Sequence, residues 1–447
     1  MADSIYWISS AWSDLTIRRA PLSGGGPVDT LYSGSAQGVG MPHGLAIDSA
    51  AGRIYWTNRE DNTIRRAPLT GGGNVETLYT GPAQGVSEPA GIAVHPAGQR
   101  IYWASTGDST IRRAPLTAGG SVETLYTAAQ GVNGPSGVTI DPAAGRIYWG
   151  NVSDSTIRRA PLAGAAGGGT VTTLYGQQDV SVPWWVAIDP DAGRIYWTHW
   201  SYQFDGRIRG APLAGGGSVN TLYDNARGVT YPGGIAIDPN PAEPALPRLE
   251  TDRLELGEIR RYSFSSWLRD LFPPPSGPPA RIYWGNGATT AANPLNYTIQ
   301  RAPAAGGGTV DTLYGSAQGV GGPAGLALLR APIAVAPPTV GWQFTLSGGG
   351  FGGQFFGGSH SDPLIQRLGC SRGTWAPDLL GSFLYRAPQS FAYQWRLNGT
   401  DIGGATSAQY NPTAAGSYSC RVTATNAAGS ATQMSGEFVV SSSMLPP

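Results

Sequence analysis

Apolar and polar residues alternate along most of this chain in short runs, each closed by Gly, Pro, Asn or Asp. In one stretch AGIAVH (residues 90–95), RIYWAS (100–105), STIRRAPL (109–116) and SVETLY (121–126) follow one another, separated by PAGQ, TGD and TAGG. Two-residue alternation bounded by turn formers predicts β-strands, because successive side chains on a strand face opposite ways. The whole four-strand unit then recurs. IYW begins at Ile5, Ile54, Ile101, Ile147, Ile195 and Ile282, at intervals of 49, 47, 46, 48 and 87 residues. Four short antiparallel strands repeated at this period describe the blades of a β-propeller.

The two ends of the repeat region complement each other. The chain starts at the second strand of a blade, SIYWIS (residues 4–9), and PAGLALL (323–329) supplies a first strand after five full units. Pairing those two pieces predicts a six-bladed ring closed by its own late strand, with no sheet edge left open. We number the blades by the order of their first strands, so the sixth is the composite one.

The motifs PHGLAID (42–48), GRIYWTN (52–58) and TIRRAPLTGGG (63–73) resemble the YWTD, or class B, repeats of the low-density-lipoprotein receptor family. The resemblance covers roughly residues 4–329 and implies the same six-bladed propeller. One departure matters. The Asp that ends the family's motif is Asn58, Ser105, Asn151, His199, Asn286 or Ser9 here. The inter-blade hydrogen bonding that the family builds on that Asp is therefore expected to be rebuilt. Lipoprotein or signalling-ligand binding is not carried over.

The long interval comes from an insertion at about residues 239–280, bracketed by prolines, in the turn between the first two strands of blade 5. Its middle, SSWLRDLF, has the cap and spacing of a short amphipathic helix and offers one docking element for a partner. After a Pro-containing linker (333–341) the repeat ends, giving a propeller over residues 1–332 and a second domain over 342–447. There LGCSRGTW, FAYQWRLNG and AAGSYSCRVTATNAAG carry a Cys, a Trp, and a Tyr two residues before a second Cys. These motifs resemble bacterial immunoglobulin-like modules. The resemblance implies a β-sandwich with Tyr418 as corner tyrosine and Trp395 packed on a Cys370–Cys420 disulfide. It is a second docking element. Such a bridge closes a loop of about 50 residues, contributes about 4 kcal/mol, and persists in an oxidising compartment. Two reduced buried thiols are the other reading. Ala414 stands where such modules often have Asp, and 25 positions separate Cys370 from Trp395. The Gly/Phe stretch at 346–358 reads as a loop.

Composition narrows the function classes. Among 447 residues the net charge is zero and all 29 basic residues are Arg, with no basic stripe of the kind nucleic acid requires. No apolar run approaches a membrane-spanning helix. The opening MADSIYWISS reaches a strand motif by Ile5, leaving no room for a secretory signal. The expected extracellular, surface or particle-bound location then implies a signal already removed or another export route, and the other reading is a protein that stays inside. The paired arginines Arg18–Arg19, Arg65–Arg66, Arg112–Arg113 and Arg158–Arg159 recur in blade after blade, as scaffold does.

Catalytic signatures are absent: there is no HExxH, GxSxG, P-loop or CxxC pattern. Residues expected near the axis at the blade entries are His43, Ala90, Ser136, Trp184, Gly233 and Ala324, a poor ligand set for a metal-dependent lactonase. No cofactor, metal or catalytic residue is expected. Blade 4 breaks the repeat, with VPWWVAID (182–189) and YWTHWSYQFDGRI (196–208), next to the long blade 5 loop GNGATTAANPLNYT (285–298). Both segments fall on one face, which gathers Trp184, Trp185, His199, Trp200, Tyr202 and Phe204, with Tyr231 of blade 5 beside them. Aromatics on a rigid ring anchor protein partners or stack on sugar rings. The expected function is recognition or adhesion toward a protein or a surface polysaccharide. A structural part of a phage-like or secreted particle is the alternative.

Overall fold

A computed structural model describes residues 3–11, 14–167, 169–200, 205–239, 280–287, 297–345 and 365–445. The insertion and the Gly/Phe stretch lie outside these residues. The described chain is all-β and divides into two compact units that interleave in sequence. One comprises Ala2–Arg330 with Asp378–Tyr385; the other comprises Ala331–Pro377 with Arg386–Pro447.

The first unit is a propeller of six four-stranded antiparallel blades, of which blade 6 carries a fifth strand, Leu384–Tyr385, in parallel. Blade 1 is typical, with its inner strand at Pro42–Asp48, then Arg53–Asn58, Thr63–Pro68 and an outer strand at Glu76–Thr80. Blade 6 is the composite one, pairing Pro323–Leu329 with Ser4–Ala11. The wording of the repeat has a direct physical cause. The Tyr of each outer strand stacks on the IYW tryptophan of the next blade, as in Tyr32–Trp56 (5.7 Å) and Tyr79–Trp103 (5.9 Å). Tyr314–Trp7 makes the same joint between blades 5 and 6. Such aromatic pairs add about 0.5–1.5 kcal/mol each beyond the area they bury. The same tyrosine donates its hydroxyl to a proline carbonyl of the next blade, Tyr32 to Pro68 at 2.7 Å and Tyr314 to Pro21 at 2.6 Å.

The repeated polar residues are structural too. Arg18, Arg112 and Arg158 pair with Asp14, Asp108 and Asp154, whereas Arg19, Arg66 and Arg113 pair with Asp29, Glu76 and Glu123 of the outer strands. Asp48, Asp141 and Asp189 accept main-chain N–H bonds that tie the next turn. The substituted motif position keeps its task without a charge. Asn58 donates to Gly38 O (2.9 Å) and accepts from Gly40 N (3.1 Å), and Asn151 and Asn286 repeat this pattern. Each thereby fastens the loop entering its blade.

Inner strands pack so closely that their third position is glycine in five blades. A Cβ on Gly44 would lie 2.4 Å from Ala90 O, and one on Gly234 would lie 2.1 Å from Ala324 O. Blade 4 alone places a large residue, Trp185, at this position.

In the second unit Ser390–Leu397 lies between Thr400–Asp401 and Gly416–Asn426, and Val340–Thr345, Ile365–Cys370 and Gln409–Tyr410 form another sheet. Trp395, Tyr418, Cys420 and Leu368 form its core. The Tyr418 hydroxyl donates to Ala414 O at 2.7 Å, the bond expected of a corner tyrosine. The two cysteines of the expected bridge lie within hydrogen-bonding reach of each other. Cys370 and Cys420 are buried free thiols. Hydrogen bonding to Cys420, then burial, pushes the Cys370 thiol well above its ordinary range, so it keeps its proton.

Candidate functional site at the blade entries

Each inner strand begins at the entry face, so the residues before and after its first proline meet around the axis there. Four blades contribute to one cavity of about 290 Å³. Blade 1 supplies Met41, His43 and Arg59, blade 4 supplies Trp184 and Trp200, blade 5 supplies Tyr231 and Tyr297, and blade 6 supplies Ser10 and Ala324. Val182, just before the blade 4 strand, has φ 33°, a left-handed conformation that costs a β-branched residue about 1–3 kcal/mol.

The aromatic cluster is continuous. Trp184 stacks on Trp200 with centroids 5.5 Å apart and planes 27° apart, and Trp200 meets Tyr231 at 6.2 Å. His43 approaches from blade 1, edge-on to Trp184 at 5.6 Å and stacked on Trp185 at 5.4 Å. Rings of opposite blades thus meet across the axis. His43 is buried, and desolvation, with Arg59 nearby, lowers its pKa to about 3, so it stays neutral through the physiological range. Its Nδ1 is buried without a hydrogen-bond partner. Among the described residues Arg59 is the one formally charged residue lining the cavity, and it pairs with Glu88 at 2.9 Å.

The expected residues therefore separate. Trp184, Trp200 and Tyr231 converge on the cavity. Trp185 does not line it; it is 2% exposed and packs beneath as filler of the axial space. His199 does not line it either. It is buried, its Nδ1 bonds Ser181 O, and it occupies the structural position of Asn58 in blade 1. Burial lowers its pKa. Tyr202 and Phe204 lie outside the described residues. Sequence reasoning did not assign Arg59 to the site, although it follows the IYW strand of blade 1 at the position Trp200 takes in blade 4; Tyr297 ends the long blade 5 loop that was expected beside the cluster. Among the described residues no three His, Cys, Asp or Glu side chains gather in a metal-holding group.

No protein-family model matches this chain, and no curated protein matches it. Among solved structures it is similar to a chain of the nidogen/laminin complex, at 18% identity and a TM-score of 0.50, over 73% of this chain and 97% of that one. It is also similar to TolB from Acinetobacter baumannii (13% identity, TM-score 0.46, 73% and 66% covered). A putative TolB from Agrobacterium tumefaciens is similar at 14% identity (TM-score 0.43, 70% and 89% covered). At 18% identity the first of these shows the fold alone.

Proposed function

We propose that this chain is a non-enzymatic recognition protein that binds a protein partner through the entry-face cavity. Residues 342–447, read as an immunoglobulin-like sandwich, act as spacer or anchor at a surface or particle. The observation that carries this reading is the Trp184–Trp200–Tyr231 cluster lining an about 290 Å³ cavity. A space of that size suits one anchoring side chain, and large aromatic rings on rigid elements are what dominate binding energy at protein interfaces. The lining favours a protein anchor over a polysaccharide. A sugar ring carries hydroxyls around its edge, and each one buried without a partner costs about 1–3 kcal/mol. Among the described residues the polar lining groups are few: His43, two tyrosines, Ser10 bonded to Gly322 O, and Arg59 held by Glu88. Among the described residues no carboxylate lines the cavity for general acid–base work. Similarity to a chain found in a protein–protein complex points the same way.

Selection of displayed peptides on the immobilised full chain, beside a glycan array, tests this. Trp184→Ala/Trp200→Ala serves as the comparison. Peptides enriched by the natural chain and lost on the variant are expected. Glycan binding lost on the variant would replace the protein reading with a lectin-like one, and equal retention by both proteins would remove the site.

A further inference from the structure

The opposite ends of the inner strands are also occupied, by residues far away in sequence. We propose that this back end is a peptide-binding site for a short hairpin with Gly-Ser at its tip, filled here by the chain's own Asp378–Tyr385. Every inner strand touches the segment. Ser49, following the inner strand of blade 1, donates its hydroxyl to the Asp378 carboxylate (2.8 Å), and the Tyr385 phenol lies against the main chain of Ile47. In blade 3 Thr139 donates to Gly381 O (3.0 Å), and in blade 4 Ile188 O accepts from the Ser382 hydroxyl (2.6 Å). In blade 6 Leu328 N and Arg330 N donate to Phe383 O and Tyr385 O, so Leu384–Tyr385 joins the sheet as a parallel strand. The inner strands of blades 2 and 5 also lie against it.

The segment is built as a ligand rather than as part of a blade. All six blades obtain their four strands from residues 4–329, so its removal opens no sheet. It carries its own hairpin bonds, Leu379 N to Leu384 O (2.8 Å) and Leu384 N to Leu379 O (3.2 Å), and so arrives preshaped. Recognition runs through main-chain bonds and strand addition, a recurrent way of holding peptides. The tip is sterically selective. A Cβ on Gly381 would lie 2.3 Å from the Ile188 side chain and 2.9 Å from Ile140 O. Phe383, Leu384 and Tyr385 behind it are buried, which asks for apolar and aromatic residues there.

A fluorescein-labelled synthetic peptide of residues 377–386 (PDLLGSFLYR) serves as probe for the full chain and its Gly381→Val variant, whose own segment cannot seat. Anisotropy titration is expected to give at least tenfold tighter binding to the variant. Equal affinity for both, or no binding to a variant with native circular dichroism, would overturn the proposal. Hydrogen exchange of the natural chain covers the case of a variant that does not fold. Leu328 and Arg330 amides are expected to exchange together, at least tenfold faster than amides paired within blades. Exchange at the rate of the slowest blade amides would show a segment that leaves only with global unfolding, and would equally overturn it.

Discussion

At their C-terminal ends the six inner strands surround Ser382, Phe383 and Tyr385 of the same chain; at the N-terminal ends, blades 1, 4, 5 and 6 enclose a cavity lined by Trp184, Trp200 and Tyr231. Both ends inherit the same problem. A third-position glycine, as at Gly44 and Gly91, lets inner strands approach closely, and no repeat-encoded side chain then fills the axis. The back end solves this with polar, backbone-directed contacts that satisfy both partners. The entry end solves it with aromatic rings from one atypical blade, leaving flat apolar faces and a His43 nitrogen without a partner. A filled opening completes the protein, whereas an aromatic, half-open one is suited to a partner from outside.

Substitutions can break that contrast, beginning where the effect is largest. Trp185→Ala removes a fully packed indole beneath the cavity, and urea denaturation is expected to show a loss of about 3–5 kcal/mol. Acidification comes next. Burial holds His43 near pKa 3 when folded, against 6.5 when free, so the unfolded chain takes up the proton first as pH falls. Stability is therefore full above about pH 6.5 and declines toward pH 3, by about 2 kcal/mol at pH 5. His43→Gln lacks this term, so its stability difference between pH 7.5 and pH 5 should be smaller than the natural chain's by about that amount. His95 and His199 have lowered pKa values as well, but they are common to both proteins. Trp184→Ala/Trp200→Ala, which removes half-buried rings, should cost only about 0.5–1.5 kcal/mol in the Trp184–Trp200 pair energy, clearly less than Trp185→Ala in the same titration. Smallest is Arg59→Ala, which breaks a partly exposed ion pair with Glu88 and should change stability by about 0–1 kcal/mol.

Much of this contrast was legible in the repeat. Register between units located the blades, the composite blade and the entry face, so Trp184, Trp200 and Tyr231 could be brought together from spacing alone. The same register held unused information. Trp185 aligns with Gly44 and His199 with Asn58, positions buried in every blade, and both side chains are buried outside the cavity lining. The stacking of His43 on Trp185 joins opposite blades, and no periodicity reports contacts across the axis. The back-end segment was the least legible. APDLLGSFLYRAP lies outside the repeats, amid residues expected to belong wholly to the second domain, and its partners Ile47, Thr139, Ile188 and Leu328 are scattered over four blades. The Cys–Trp–Tyr–Cys order, read by resemblance, paired Cys370 with Cys420, and their thiols do lie beside each other.

Hydroxyl-radical footprinting of the intact chain, read by mass spectrometry, tests the contrast between the two ends most directly. Trp184, Trp200 and Tyr231 are expected to be oxidised readily, while Phe383, Leu384 and Tyr385 stay as protected as the core residue Trp56. Oxidation of residues 383–385 as fast as Trp200, or protection of the entry-face aromatics to the level of Trp56, would contradict the account.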